Sequence, residues 1–89
     1  MRNKVGVTSI KTKRDTHVYT LRHKRKVVYF GITRDPENRL KAHQRSGKIF
    51  TSASFSAKCT RKSALKREKE AIKRYKDNHG RMPKYNKIL

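Results

Sequence analysis

Apolar residues in this chain come in short runs between stretches of lysine and arginine. Two runs, residues 16–21 (THVYTL) and 26–32 (KVVYFGI), are rich in β-branched and aromatic side chains and predict two strands. Residues 22–25 between them lack Asn-Gly chemistry, so the pattern does not fix the turn type. A hairpin centred on Lys24 sets Tyr19 opposite Tyr29 and Val18 opposite Phe30. Val18, Val28, Phe30 and Ile32 then share one apolar face, and Tyr19 and Tyr29 stand on the other. A slip of one residue would scramble both sets.

A helix follows. Asp35 suits its N-cap, Pro36 its first position, Glu37 its positive end and Gly47 its stop. Leu40 and Ala42 supply modest packing, and Arg39 and His43 neighbour each other on one face. Residues 52–60 (SASFSAKCT) alternate Phe55, Ala57 and Cys59 against Ser54, Ser56 and Lys58, which predicts a third, half-buried strand. A second helix is expected from a cap near Thr60 to Gly80. Its apolar stripe is Ala64, Leu65, Ala71, Ile72 and Tyr75, and Glu68 falls in the middle of that stripe. A carboxylate in an apolar face needs a partner: an arginine, a tyrosine hydroxyl or a metal ion. The tail after Pro83 carries Tyr85, Ile88 and Leu89, which are expected to tie it to the core. The pattern therefore predicts an α/β (α+β) fold, a small three-stranded antiparallel sheet flanked by helices.

Composition narrows the partners. With 89 residues, a single domain over 1–89 is expected, residues 1–14 forming a basic N-terminal strand or arm. Apolar residues make up 33%, so the core is small. The 26 lysines and arginines against 6 acids give a net charge of +20. Such a charge repels itself unless a polyanion neutralises it, and nucleic acid is the first choice. No run approaches the length of a membrane span, and no signal peptide is visible. One cysteine, Cys59, forms no intramolecular disulfide or zinc cluster, which suits a reducing, cytoplasmic setting and a small core residue.

The ordered set of motifs resembles the GIY-YIG endonuclease superfamily. The first motif stands as His17-Val18-Tyr19 and the second as Tyr29-Phe30-Gly31, with the two tyrosines ten positions apart. The family's helix arginine matches Arg39, its following histidine His43, its metal-binding glutamate Glu68 and its late asparagine Asn86. Two departures are visible: His17 replaces the usual glycine, and Phe30 replaces isoleucine. The first narrows the site or adds a phosphate contact, and the second tolerates the change of volume.

The resemblance implies hydrolysis of DNA phosphodiesters by water with one Mg2+ or Mn2+ ion per active site, held by Glu68. A hard cation is content with one carboxylate plus water and phosphate oxygens. Arg39 would grip the scissile phosphate. Tyr19 would act as general base, if nearby positive charge ionises it near neutrality. Tyr29 would position water or phosphate, His43 would orient a tyrosine or touch phosphate, and Asn86 would hold the site together. Gly31 would let backbone approach a helix or DNA. His17, Gly31, Lys24, Arg25, Lys26, Arg45 and Lys48 are the expected DNA contacts. The expected partner is double-stranded DNA, branched or nicked DNA included, cut by a monomer or a transient dimer with weak sequence preference; RNA stays open. The compact form looks most like the phage or mobile-element members, acting in an infected host cell. Taken one at a time, each residue has a plainer reading: packing tyrosines, a solvated arginine, a buried ion pair at Glu68, a turn asparagine. The alternative for the whole chain is a basic nucleic-acid binder without catalysis.

Overall fold

The computed structural model describes residues 13–86. Residues 1–12 of the expected basic N-terminal strand or arm and the apolar end Ile88-Leu89 lie outside the described residues. Strands β1 (Arg14–His23) and β2 (Lys26–Thr33) form the hairpin. Its turn is two residues long, and both take positive φ, Lys24 at 51° and Arg25 at 72°. Left-handed pairs of this kind match the twist of the strands, but they normally use Asn-Gly. A tight turn therefore exists where composition carries no turn signal.

Next to the turn, Arg22 pairs with Val27 and His23 with Lys26; after a bulge, Leu21 pairs with Tyr29, Thr20 with Phe30, Tyr19 with Gly31 and Val18 with Ile32. Tyr19 therefore faces Gly31, not Tyr29, and Val18 faces Ile32, not Phe30. The slip is two residues from the expected register, so Tyr19 and Tyr29 still share a face. The bulge leaves Val28 as the extra residue on β2. Val28 consequently joins the core cluster with Tyr19 and Leu21, while Val18, Phe30 and Ile32, the rest of the expected apolar face, are only half-buried.

Helix α1 (Pro36–Arg45) begins at Asp35, whose carboxylate accepts from the Asn38 backbone N–H, with Pro36 in the first turn. Leu40 and His43 pack onto the tyrosine face; Ala42 is exposed and contributes no packing. Strand β3 (Ser52–Phe55) pairs antiparallel with β1, which is therefore central in the order β2-β1-β3. The expected strand over 52–60 is broken at 56–58. Ser56 turns its hydroxyl to the Val18 N–H, Ala57 points to solvent, and pairing with β1 resumes only at β4 (Cys59–Thr60). Cys59 is a buried free thiol that donates to the Thr16 carbonyl.

Helix α2 (Arg61–His79) starts at the Thr60 cap and stops at Gly80, whose φ of 75° a side chain would strain. Ala64 and Tyr75 are buried, and Glu68, Ala71 and Ile72 are half-buried; Leu65, expected in the stripe, is 37% exposed. Tyr75 meets Phe30 edge-on, so α2 covers the sheet face opposite the tyrosines. Beyond Gly80 the chain returns along β2. The Tyr85 N–H donates to the Val28 carbonyl, and the Asn86 side chain bonds both backbone groups of Phe30. This segment covers an edge strand that would otherwise stay open.

Candidate active site

Four rings meet on the α1 side of the sheet. Tyr19 is 1% exposed and stacks on Phe55 at 5.3 Å, with Tyr29 at 5.9 Å and His43 at 5.7 Å. The Tyr19 hydroxyl lies 2.6 Å from His43 Nε2. Tyr29, the more exposed tyrosine, meets His43 edge-on at 5.0 Å, and Lys48 Nζ sits 5.7 Å from its ring centre.

Gly31 explains how two tyrosines fit. A Cβ there would stand 2.7 Å from Tyr19 Cζ and Oη and from Tyr29 Cε2. The protein groups that approach this glycine are the two rings, and Gly31 is buried. Its lack of a side chain therefore has a packing role in the free protein.

The electrostatics differ from the expectation for Tyr19. Burial, with Tyr29 and Glu68 adding to it, pushes the Tyr19 phenol well above its ordinary value, and Arg39 opposes this only in part. Burial thus opposes the ionisation near neutrality expected of Tyr19, and among the protein's own groups desolvation outweighs Arg39. His43 shifts the other way. Burial first, then Lys48 and Arg39, push its pKa below the ordinary value, so the ring is neutral at pH 7. A protonated phenol beside a neutral imidazole means that Tyr19 donates and Nε2 accepts.

Arg39 lies one turn before His43 on α1 and is exposed. Glu68 comes from α2, and its charge registers at Tyr19. Burial raises the Glu68 pKa, offset in part by Lys69 and Arg61. Among the described residues it makes no hydrogen bond, and the one ion pair is Arg34–Asp15 at 3.7 Å. Neither of the protein partners expected for this carboxylate is present among them. No cluster of three or more His, Cys, Asp or Glu able to hold a metal occurs among the described residues. A lone carboxylate suits only a hard cation that keeps most of its water.

Asn86 is buried, with Oδ1 accepting from the Phe30 N–H at 2.7 Å and Nδ2 donating to the Phe30 carbonyl at 2.9 Å. Its amide is engaged at both ends, so it positions the strand between Tyr29 and Gly31 and does not reach for substrate. His17 lies on the tyrosine face, with Nδ1 donating to the Ser56 carbonyl at 2.7 Å and its ring edge-on to Phe55. Lys24 and Arg25 form the exposed hairpin turn, Lys26 opens β2 and Arg45 closes α1. Among the expected cations, Lys48 stands at the ring cluster, over Tyr29. Sequence reasoning missed Phe55 as the stacking partner of Tyr19 and Ser56 as the anchor of His17. Phe55 had a signal, its inward place in the alternation; Ser56 had none.

A family model described as the GIY-YIG catalytic domain matches residues 15–86. A search of curated proteins and a search of solved structures found no match. The matched span contains the tyrosine pair, the α1 arginine and histidine, the α2 glutamate and the closing asparagine. With that span and the α+β sheet described above, the chain belongs to the GIY-YIG family of DNA endonucleases.

Proposed function

We propose that this protein is a magnesium-dependent DNA endonuclease that cuts one strand at a time with weak sequence preference. The observation that carries this reading is Glu68, a half-buried carboxylate with no bonding partner among the described residues, within electrostatic reach of Tyr19. A protein that only binds DNA gains nothing from an unpaired carboxylate in that place.

Glu68 would hold a divalent cation, which when bound offsets charge on the phosphate and the leaving oxygen. The remaining steps belong to the chain. Arg39, exposed on α1, grips the scissile phosphate through charge-assisted hydrogen bonds. Tyr29 orients the water or the phosphate from the same face. A phenolate at Tyr19 is disfavoured, so Tyr19 works as a relay: it takes the proton of the attacking water as its own proton passes to His43 Nε2. The neutral state of His43 leaves that lone pair free. The new P–O bond forms as the bond to the leaving oxygen breaks. Asn86 is a positioning residue, acting through Phe30 on Tyr29.

A second reading, a GIY-YIG fold that binds DNA without cutting it, draws on the burial of Tyr19. Supercoiled plasmid separates the two. With magnesium the wild type is expected to nick, and chelator, Arg39→Ala or Glu68→Gln to abolish nicking. The raised pKa of Glu68 means that burial opposes its charged form. Its contribution to stability is present below the unfolded carboxylate pKa and lost as pH rises through the folded value. Glu68→Gln is therefore expected to raise the thermal midpoint at pH 7 without metal, and magnesium to raise the wild-type midpoint only. Tight binding with no nicking in any divalent metal would sink the first reading.

A further inference from the structure

A second concavity lies near the hairpin tip, away from the ring cluster. Its volume is about 550 Å³, and its walls are Val27, Val28, Ile49, Tyr75, Met82 and Pro83. Cavities of roughly 300–1,000 Å³ accommodate small organic groups. Lys26, Arg81, Lys84 and His23 also line it. A neighbouring basic hollow, lined by Arg22, Lys24 and Arg25, shares Lys26, Val27 and Tyr75 with it.

We propose that this cavity takes one unpaired nucleobase of the bound nucleic acid. The proposal rests on the nucleic-acid reading above and extends it to a substrate class: DNA carrying an extrahelical or unpaired base. Three features favour that occupant. The walls are apolar and the lining cationic, which suits a flat apolar group with a phosphate on either side; an acyl chain would match only the walls, an acidic peptide only the cations. His23 Nδ1 is buried without a hydrogen-bond partner among the described residues, and a base edge offers both donors and acceptors. Ile49, 60% exposed, leaves an aliphatic side chain at the cavity wall for a ring to cover. The position suits the same ligand as the active site. Tyr75 follows Glu68 by two helical turns on one face of α2, a distance of about 10 Å. That is about three nucleotide steps along a strand. A base inside a duplex cannot enter, so the cavity selects for bulges, gaps or flaps.

The test uses the full chain in chelator, to prevent cutting, with short labelled duplexes that are fully paired or carry one unpaired 2-aminopurine. Binding is read by anisotropy and base burial by acrylamide quenching. The unpaired duplex is expected to bind about tenfold more tightly, a modest share of what holding one base contributes, with its 2-aminopurine shielded from acrylamide. Met82→Trp, which narrows the cavity, and Ile49→Ser, which strips the exposed part of its wall, are each expected to lower the affinity ratio towards one, because each leaves less surface for the base to cover. Leu65→Ser, on an exposed part of α2, should keep the ratio. Ile49 is exposed enough for its variant to fold even if the tryptophan variant does not, and circular dichroism checks both. Equal affinity of the wild type for the two duplexes, or a preference that survives both cavity variants, overturns the inference and leaves the endonuclease reading intact. Failure to bind either duplex overturns both.

Discussion

The Tyr19–His43 contact gives the candidate site a definite pH behaviour. Burial, Lys48 and Arg39 hold the His43 pKa below its ordinary 6.5. If His43 accepts the Tyr19 proton, activity is present above the folded pKa of His43 and falls as pH drops through it. The acid limb of the rate profile is therefore expected below that ordinary value. Lys48→Ala removes the larger of the two cationic contributions, so the limb should move up towards 6.5. Tyr19→Phe should lower the rate by about 10²–10⁴-fold, the usual range for removing a proton-transfer group. A pH profile of nicking for the three proteins checks this; a limb that stays or moves down in Lys48→Ala would refute the relay. At this scale the sequence was only partly legible. Residue identity and resemblance picked out Tyr19, Tyr29, Arg39, His43 and Glu68, yet not the burial that opposes ionisation of Tyr19. Charge can be counted along a chain, but desolvation depends on Phe55, Tyr29 and His43 closing over the ring, and only the fold supplies that.

Among the elements, the hairpin and both helices were readable because their signals are local: β-branched runs, the Asp35 and Thr60 caps, the Gly80 stop. The register was not, because a left-handed Lys24-Arg25 turn and a bulge at Val28 leave no mark in composition. Tyr19 and Tyr29 still share a face because the slip was an even number of residues, while the bulge moved Val28 into the core with Tyr19 and Leu21. The segment after α2 was legible only as a weak apolar tail, and its real device is the Asn86 amide standing in for a strand partner of Phe30. Asn86→Ala leaves both backbone groups of Phe30 without that partner, at a cost of about 1–3 kcal/mol. Asn86→Asp keeps the acceptor and loses the donor, so it should fall between alanine and wild type. Denaturant midpoints measure the first effect. Because Phe30 lies between Tyr29 and Gly31, the alanine variant should also lose turnover while keeping its affinity for DNA. Unchanged turnover in a folded Asn86→Ala would show that the segment only covers the edge.

For the whole molecule, charge decides how the site meets its substrate. The chain carries 26 lysines and arginines and a net charge of +20, and the one ion pair among the described residues is Arg34–Asp15. Pairing among its own side chains cannot neutralise this protein, so phosphates are the natural counter-charges, and each one neutralised releases condensed cations from DNA. The cations lie at the hairpin tip, along both helices and around the cavity near Tyr75, while Tyr19 and His43 in the ring cluster are buried. Of these cations only Arg39 and Lys48 are assigned to the candidate site, so affinity and chemistry should respond differently to salt. If about 6–10 phosphates are engaged, affinity should fall on the order of 10³–10⁵-fold between 50 and 200 mM salt. The rate of nicking once DNA is saturated should change far less, because buried contacts such as Tyr19–His43 are screened weakly. Titrations by anisotropy and single-turnover nicking over the same salt series measure the two quantities. Lys24→Ala and Arg25→Ala together should flatten the slope of log affinity against log salt by up to about two units, one for each phosphate no longer neutralised, and leave the saturated rate in place. A slope near zero in the wild type would mean that this charge does not drive binding. A saturated rate falling in step with affinity would place the cations of the hairpin tip in the chemistry itself.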